Sequence, residues 1–164
     1  MTRKEVLERL RTQRAEFDAR VSAIPDSALE VPVPGCVHSP KQIIAHVSAY
    51  EHLIVERLRA ARLAEETHFD RDHVGWQAFN ERVWAEAMLL DIEIVLVRSA
   101  RDFLTLLEEV SALTDAELSQ LRGVAAAVDP EWLHGRSLAE LIGIDGFEHY
   151  RMHFAQLEAA AAQA

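Results

Sequence analysis

Ile92-Glu-Ile-Val-Leu-Val97-Arg-Ser99-Ala-Arg-Asp-Phe103-Leu-Thr-Leu106-Leu-Glu-Glu-Val110-Ser-Ala-Leu113 is the stretch on which the fold class turns. Its first six residues are apolar and β-branched enough to read as a strand. The residues after Val97 decide against that. Leu96, Ser99, Phe103, Leu106, Val110 and Leu113 recur three and four residues apart, the period of one helix face. The stretch predicts a helix beginning after Asp91, and once it is assigned no other segment has period-two patterning.

The same periodicity extends outward from it. Val6, Leu10, Phe17 and Val21 mark a helix from about Arg3 to Ala23, ended by Pro25. Ile43, Val47, Tyr50, Ile54 and Leu58 mark another from Pro40 to about Glu65. Trp76, Phe79, Val83 and Ala87 suggest a shorter one, Thr114 to Arg122 a short one, and Leu138 to about Ala161 the last long one. Four start signals share the capping-box form: Thr2-x-x-Glu5, Ser39-x-x-Gln42, Thr114-x-x-Glu117 and Ser137-x-x-Glu140. Pro40 suits a first helical position, and Asp129-Pro130 repeats that arrangement. Pro32, Pro34 and Gly35 hold an extended connection, and a polar stretch runs from Glu66 to His73. Four long helices with short connections predict an all-α four-helix bundle, with extra short helices in the connections and one domain over residues 1–164.

Composition narrows the function. The chain has 164 residues, 17 Lys+Arg against 27 Asp+Glu, and a net charge of −10. A polyanion is repelled by such a surface, so no nucleic-acid partner is expected. No apolar run approaches the ~18 residues of a membrane span. Thr2-Arg-Lys-Glu-Val-Leu-Glu8 lacks the apolar core of a secretory leader. A single cysteine, Cys36, permits no internal disulfide. The expected location is the cytoplasm.

The chemistry lies in the eight histidines. One pair, His149-Tyr-Arg-Met-His153, has the i, i+4 spacing that stacks two rings on one helix face about 5–6 Å apart. Leu138, Leu141, Ile142, Asp145, His149, Met152, His153 and Gln156 fall on one stripe, apolar upstream and therefore turned to the core. His46 is inward by the same criterion, flanked by Ile43, Val47 and Tyr50. A lone inward histidine is more often a hydrogen-bonded core residue than a ligand. Three, converging from two helices with water in the open position, make a site for a divalent metal ion. Imidazole suits zinc, nickel, copper and iron alike, with zinc or nickel expected here.

Ser39-Pro-Lys-Gln-Ile-Ile-Ala-His46-Val-Ser-Ala-Tyr-Glu51 resembles the second helix of the DinB/YfiT-like superfamily, and Phe147-Glu-His149-Tyr-Arg-Met-His153 its last helix. Trp76-Gln-Ala-Phe-Asn80-Glu-Arg-Val-Trp84-Ala-Glu86 is similar to the ClbS/DfsB branch. The resemblance covers most of the chain. It implies a four-helix bundle, often dimeric, with a metal triad falling on His46, His149 and His153. It also implies small-molecule work: hydrolysis, or transfer of a low-molecular-weight thiol to an electrophile. The ClbS/DfsB similarity implies protection from a reactive metabolite, by ring-opening hydrolysis or by sequestration, without metal. A non-catalytic metal-binding dimer acting by sequestration is a further alternative. Two positions depart from the branch, His38 where it usually has Trp and Asp145 where it often has Asn.

Asp145, one turn before His149, is expected to orient that imidazole, to ligate, or to act as a base. Glu51 is expected to orient a ligand or to stand solvated on its helix. Tyr50 and Tyr150 are read as packing residues, and Trp76, Phe79 and Trp84 as core packing ahead of pocket lining. Cys36 is read as an unreactive thiol, and His52, His68 and His73 as surface residues.

Overall fold

The computed structural model describes residues 1–63, 75–119 and 136–163, and every regular element among them is helical. In chain order they are α1 (Arg3–Ser22), α2 (Pro40–Leu63), α3 (Trp76–Met88), α4 (Ile92–Ser111), α5 (Asp115–Ser119) and α6 (Leu138–Gly143). A π-helical turn (Ile144–Glu148) then leads into α7 (His149–Met152) and α8 (Phe154–Ala161). The segment that reads as a strand at Ile92 is the start of a 20-residue helix. α1, α2, α4 and the α6–α8 run form a four-helix bundle, while α3 and α5 lie in the connections. The polar stretch from Glu66 to His73, the Asp129-Pro130 cap, the helix ends past Leu63 and Ser119, and His68, His73 and His134 lie outside the described residues.

All four capping boxes form. Thr2 and Glu5, Ser39 and Gln42, Thr114 and Glu117, and Ser137 and Glu140 exchange side-chain-to-backbone hydrogen bonds in both directions. Each satisfies two backbone donors that the first helical turn leaves unpaired. These starts need only residues three apart, which is why local sequence specifies them.

α2 is the central element. Ile43, Ile44, Val47, Leu53, Ile54, Val55 and Leu58 are buried around most of its circumference, as a helix packed on several sides requires. Its main neighbours are α4 and α3. α4 buries Val95, Ser99, Asp102, Leu106 and Val110. Leu96, expected inward, is exposed, and Val95 takes its place. α4 packs on both α2 and α1, so its buried face is wider than one stripe: Asp102 turns to α2 and accepts the Ser48 hydroxyl at 2.8 Å, while Phe103 packs toward α1.

The last long helix is regular only at its ends. At the π turn, Gly146 lies so close to α1 that an added Cβ would come within 2.9 Å of Leu10 Cδ2. A Cβ on Gly143 would come within 2.6 Å of the Phe147 ring. Without side chains at these two points the wide turn fits beneath α1, and single π turns of this kind recur at functional sites. After His149–Met152 the backbone tightens, and the His153 amide donates to the Tyr150 carbonyl at 3.1 Å. Met152, expected on the inward stripe, is 72% exposed. It lies between Glu148 and Ala155, both on the outer face.

Candidate metal centre

His46 projects from the second turn of α2, placed there by the Ser39/Gln42 box and Pro40. His149 and His153 project from α7 and its C-terminal end. The three rings meet inside the bundle. His46 Nε2 lies 3.0 Å from His149 Nε2, and His149 Nε2 lies 3.1 Å from His153 Nε2. Among the described residues these three offer ligand atoms all within 4.8 Å of one another. Two nitrogens bound to one ion at about 2.0–2.1 Å, at a tetrahedral angle, stand about 3.3 Å apart. The two observed separations are close to that.

The donor chemistry points the same way. His153 Nδ1 lies 2.6 Å from Gln156 Oε1, an oxygen that can only accept, and with the amide in this orientation the ring turns its Nε2 lone pair inward. His46 Nδ1 and His149 Nδ1 are buried and make no hydrogen bond of ordinary geometry. The His149 Nε2–H tautomer offers one proton to two facing nitrogens. If all three rings carry Nδ1–H, three lone pairs converge, an arrangement that suits a cation.

Burial holds the rings neutral. It pushes His46 down to about 3, and the neighbouring His149 and His153 act in the same direction. His149 is pushed down to about 3 by burial and by His153, against the Asp145 carbonyl, which favours its charged form. His153 is lowered by burial against the pull of Gln156. Neutral imidazole is the form that ligates.

Aromatic rings wall the triad. Trp84 of α3 stacks on His38 at 3.7 Å between centroids and lies 5.7 Å from His46. Tyr50 stands edge-on to His46 and His149 at 4.8 and 4.5 Å, and Trp76 stacks on Tyr50 at 5.5 Å. Tyr50 donates its hydroxyl to Asn80, and Gln42 donates to the Trp84 carbonyl, which ties α3 to α2 across this wall. His38 therefore belongs to the site, although it comes from the connection before α2. Of the residues read as core packing or pocket lining, Trp84 borders the triad, Trp76 stands behind Tyr50, and Phe79 is buried beneath.

Asp145 is buried at the π turn, 4.0 Å from the guanidinium of Arg57, itself 2% exposed and over the Trp76 ring. Glu51 corrects the expectation that it orients a ligand or faces solvent. It is fully buried on another side of α2, where Arg14 Nη1 donates to its Oε1 at 2.7 Å and the Tyr150 hydroxyl at 2.6 Å. Arg14 also donates to Asp18 and Ser99. Desolvation raises Glu51 to about 7 against the pull of Arg14 and Tyr150. Tyr150 is thus a buried donor as well as a packing residue. His52 is half-exposed beside Glu56, away from the triad.

Sequence reading missed Arg14 and Arg57 here, and placed Gln156 on the inward stripe without a role. Arg14 completes the α1 stripe between Leu10 and Phe17, and a cation at a core position was the available signal. Arg57 occupies an equally buried position on α2. Gln156 lies on the inward stripe three residues after His153, a spacing that allows contact.

An all-helical bundle with an inward histidine triad defines a class of small helical proteins, and sequence comparison places the chain within it. A model of the DinB superfamily matches residues 9–157, and the chain belongs to that superfamily. No curated protein matches it. Among solved structures, the colibactin self-resistance protein ClbS in complex with a dsDNA superposes with a TM-score of 0.77 at 10% identity, covering 95% of this chain and 93% of that one. An uncharacterised protein from Escherichia coli UTI89 also gives 0.77, at 13% identity over 99% and 94%. A protein from Streptococcus pneumoniae gives 0.75, at 10% identity over 96% and 88%. At these identities the likeness is one of fold. Among the described residues no helix is long and apolar enough to cross a membrane.

Proposed function

We propose that His46, His149 and His153 hold a divalent metal ion, zinc or nickel, and that the protein is a metal-dependent small-molecule enzyme, a hydrolase or a low-molecular-weight thiol transferase acting on electrophiles. The observation that carries this reading is the convergence of three neutral Nε2 atoms, with His153 held in the ligating tautomer by Gln156. When bound, such an ion acidifies a coordinated water or thiol and polarises an electrophile. The chain's own groups do the rest. Asp145, one turn before His149, would take up the proton of a nucleophile held at the triad, and Arg57, 4.0 Å from it, would favour its carboxylate form beforehand. Trp84 and Tyr50 exclude water from one side of the triad and offer flat apolar surface to the substrate.

The proposed partners are a small electrophile, a thiol, and a second copy of the chain, with the cytoplasm as location. DNA is bound in the ClbS structure, but a net charge of −10 opposes a polyanion here. The Trp76–Trp84 segment and the alanine-rich tail turn part of their apolar surface inward, at Phe79 and Val83 and at Leu157 and Ala160. Exposed Leu96, Val97 and Leu104 on α4 are the better surface.

The test is metal analysis of protein purified without a histidine tag, followed by turnover assays with thiols and activated electrophiles. The expected result is one zinc or nickel per chain and metal-dependent turnover. Protein that stays metal-free in zinc- and nickel-replete buffer would sink this reading, leaving the metal-free protective pocket of the ClbS-like alternative.

A further inference from the structure

We infer that Gln156, itself anchored by Cys36, is a positioning residue that fixes His153 as the Nδ1–H tautomer and so keeps its Nε2 lone pair aimed into the triad. This deepens the metal-site reading, but it can be tested without a metal. Gln156 sits on α8, one turn beyond His153, and its amide bridges two groups. Oε1 accepts from His153 Nδ1 at 2.6 Å, and Nε2 donates to Cys36 Sγ at 3.5 Å. The sulfur also accepts the backbone N–H of His38 at 3.4 Å.

The direction of the amide is the decisive feature. A glutamine side chain offers an acceptor at one end and donors at the other, and the two are interchangeable by a flip of the amide. If it were flipped, its NH2 would face His153 Nδ1, that nitrogen would have to accept, and the ring proton would move to Nε2. A ring protonated on Nε2 cannot ligate through it. What opposes the flip is the sulfur, which already accepts the His38 N–H and is only a weak donor, so an amide oxygen turned toward it would give up the N–H···S contact for a weaker one. Cys36 comes from the connection before α2, and Gly35 beside it turns the chain with φ +72°. The connection that brings His38 onto Trp84 thus also brings the sulfur that orients Gln156.

The experiment records the ring nitrogens of His153 by 15N NMR in metal-free protein at neutral pH, for wild type, Gln156→Met, Gln156→Glu and Cys36→Ala. Wild type and Gln156→Glu, whose carboxylate only accepts, should show the Nδ1–H tautomer. Gln156→Met should show a large Nε2–H fraction, with Cys36→Ala between. Zinc affinity, measured by chelator competition, should fall about 10–100-fold in Gln156→Met and recover in Gln156→Glu. Circular dichroism confirms that each variant is folded, and Cys36→Ala and Gln156→Glu still decide the matter if Gln156→Met is not. An unchanged His153 tautomer in Cys36→Ala, and in Gln156→Met where that variant folds, would overturn the inference. A tautomer shift in a protein whose wild type binds no zinc would support it while removing the metal reading.

Discussion

His46 and His149 bring their Nε2 atoms to 3.0 Å from positions 103 residues apart, one on the central helix and one just after the π turn. Neither Nδ1 makes a hydrogen bond of ordinary geometry, although the Asp145 carbonyl acts on His149. Burying two polar rings in this way is unfavourable for the fold by itself. The arrangement is understandable as a ligand set, and its consequences can be measured.

His46→Ala, His149→Ala or His153→Ala should each abolish stoichiometric zinc or nickel binding while leaving the helical circular dichroism largely unchanged, because the apolar faces remain. His52→Ala, at a half-exposed position, should bind metal like wild type. Elemental analysis of the four purified variants checks this. Stoichiometric metal in a variant lacking all three triad histidines would refute the assignment.

The pH dependence of metal-free protein has a definite sign. Folded His46 and His149 are pushed down to about 3, while the unfolded rings titrate near 6.5. Between these values the unfolded chain binds more protons, so the stability they contribute is present above pH 6.5 and is lost as the pH falls toward 3. Each full proton gives about 1.4 kcal/mol per pH unit. Glu51, raised to about 7 from 4.5, opposes this between those two values, since there the folded state binds its proton. Urea denaturation from pH 7 to 3.5 should show a loss that steepens below about 4.5. A flat profile would contradict the buried neutral histidines.

Glu51→Leu should cost about 3–5 kcal/mol, because it leaves the buried Arg14 guanidinium without its nearest interior anion. The double variant Arg14→Met, Glu51→Leu should recover the part due to the unpaired charge but not the cost, about 1–3 kcal/mol, of the Tyr150 hydroxyl, which loses its buried acceptor in both variants. Equal destabilisation of the single and double variants in chemical denaturation would show that the pair is not the cause.

Gly143→Ala should destabilise by about 1–3 kcal/mol, although alanine is ordinarily the better helix former. The added Cβ meets the buried Phe147 ring at 2.6 Å, and Phe147 cannot move far without disturbing the π turn. Thermal unfolding measures the loss. A gain in melting temperature would show that the turn accommodates a side chain.

Light scattering at high micromolar concentration should give the mass of a homodimer, and Leu104→Glu, on the exposed side of α4, should shift it toward monomer. A monomeric wild type would remove the dimer from the proposal.

The helix starts and the apolar stripes of α1 to α4 were legible because both are local. A capping box needs two residues three apart, and a helix face repeats every three to four. The His149–His153 pair was legible for the same reason, and His46 followed from its apolar neighbours. Residue spacing alone could not tell which edge of a wide face meets a neighbour. Val95 rather than Leu96 is buried because α4 lies against two helices, and Met152 turns outward at the margin of the inward stripe. The partners of Glu51 and Arg14 lie on different helices, 37 residues apart in the chain, and local pattern says nothing of such a pair. The π turn and the Cys36–Gln156–His153 chain likewise depend on how closely α8 and its neighbours approach. Backbone hydrogen bonding and periodic burial act over a few residues, so the sequence by itself determined an all-helical chain and the residue types of its site. The direction of each ring, the oriented amide and the buried ion pair were decided by tertiary packing, which alone brings distant polar groups out of water and within reach of one another.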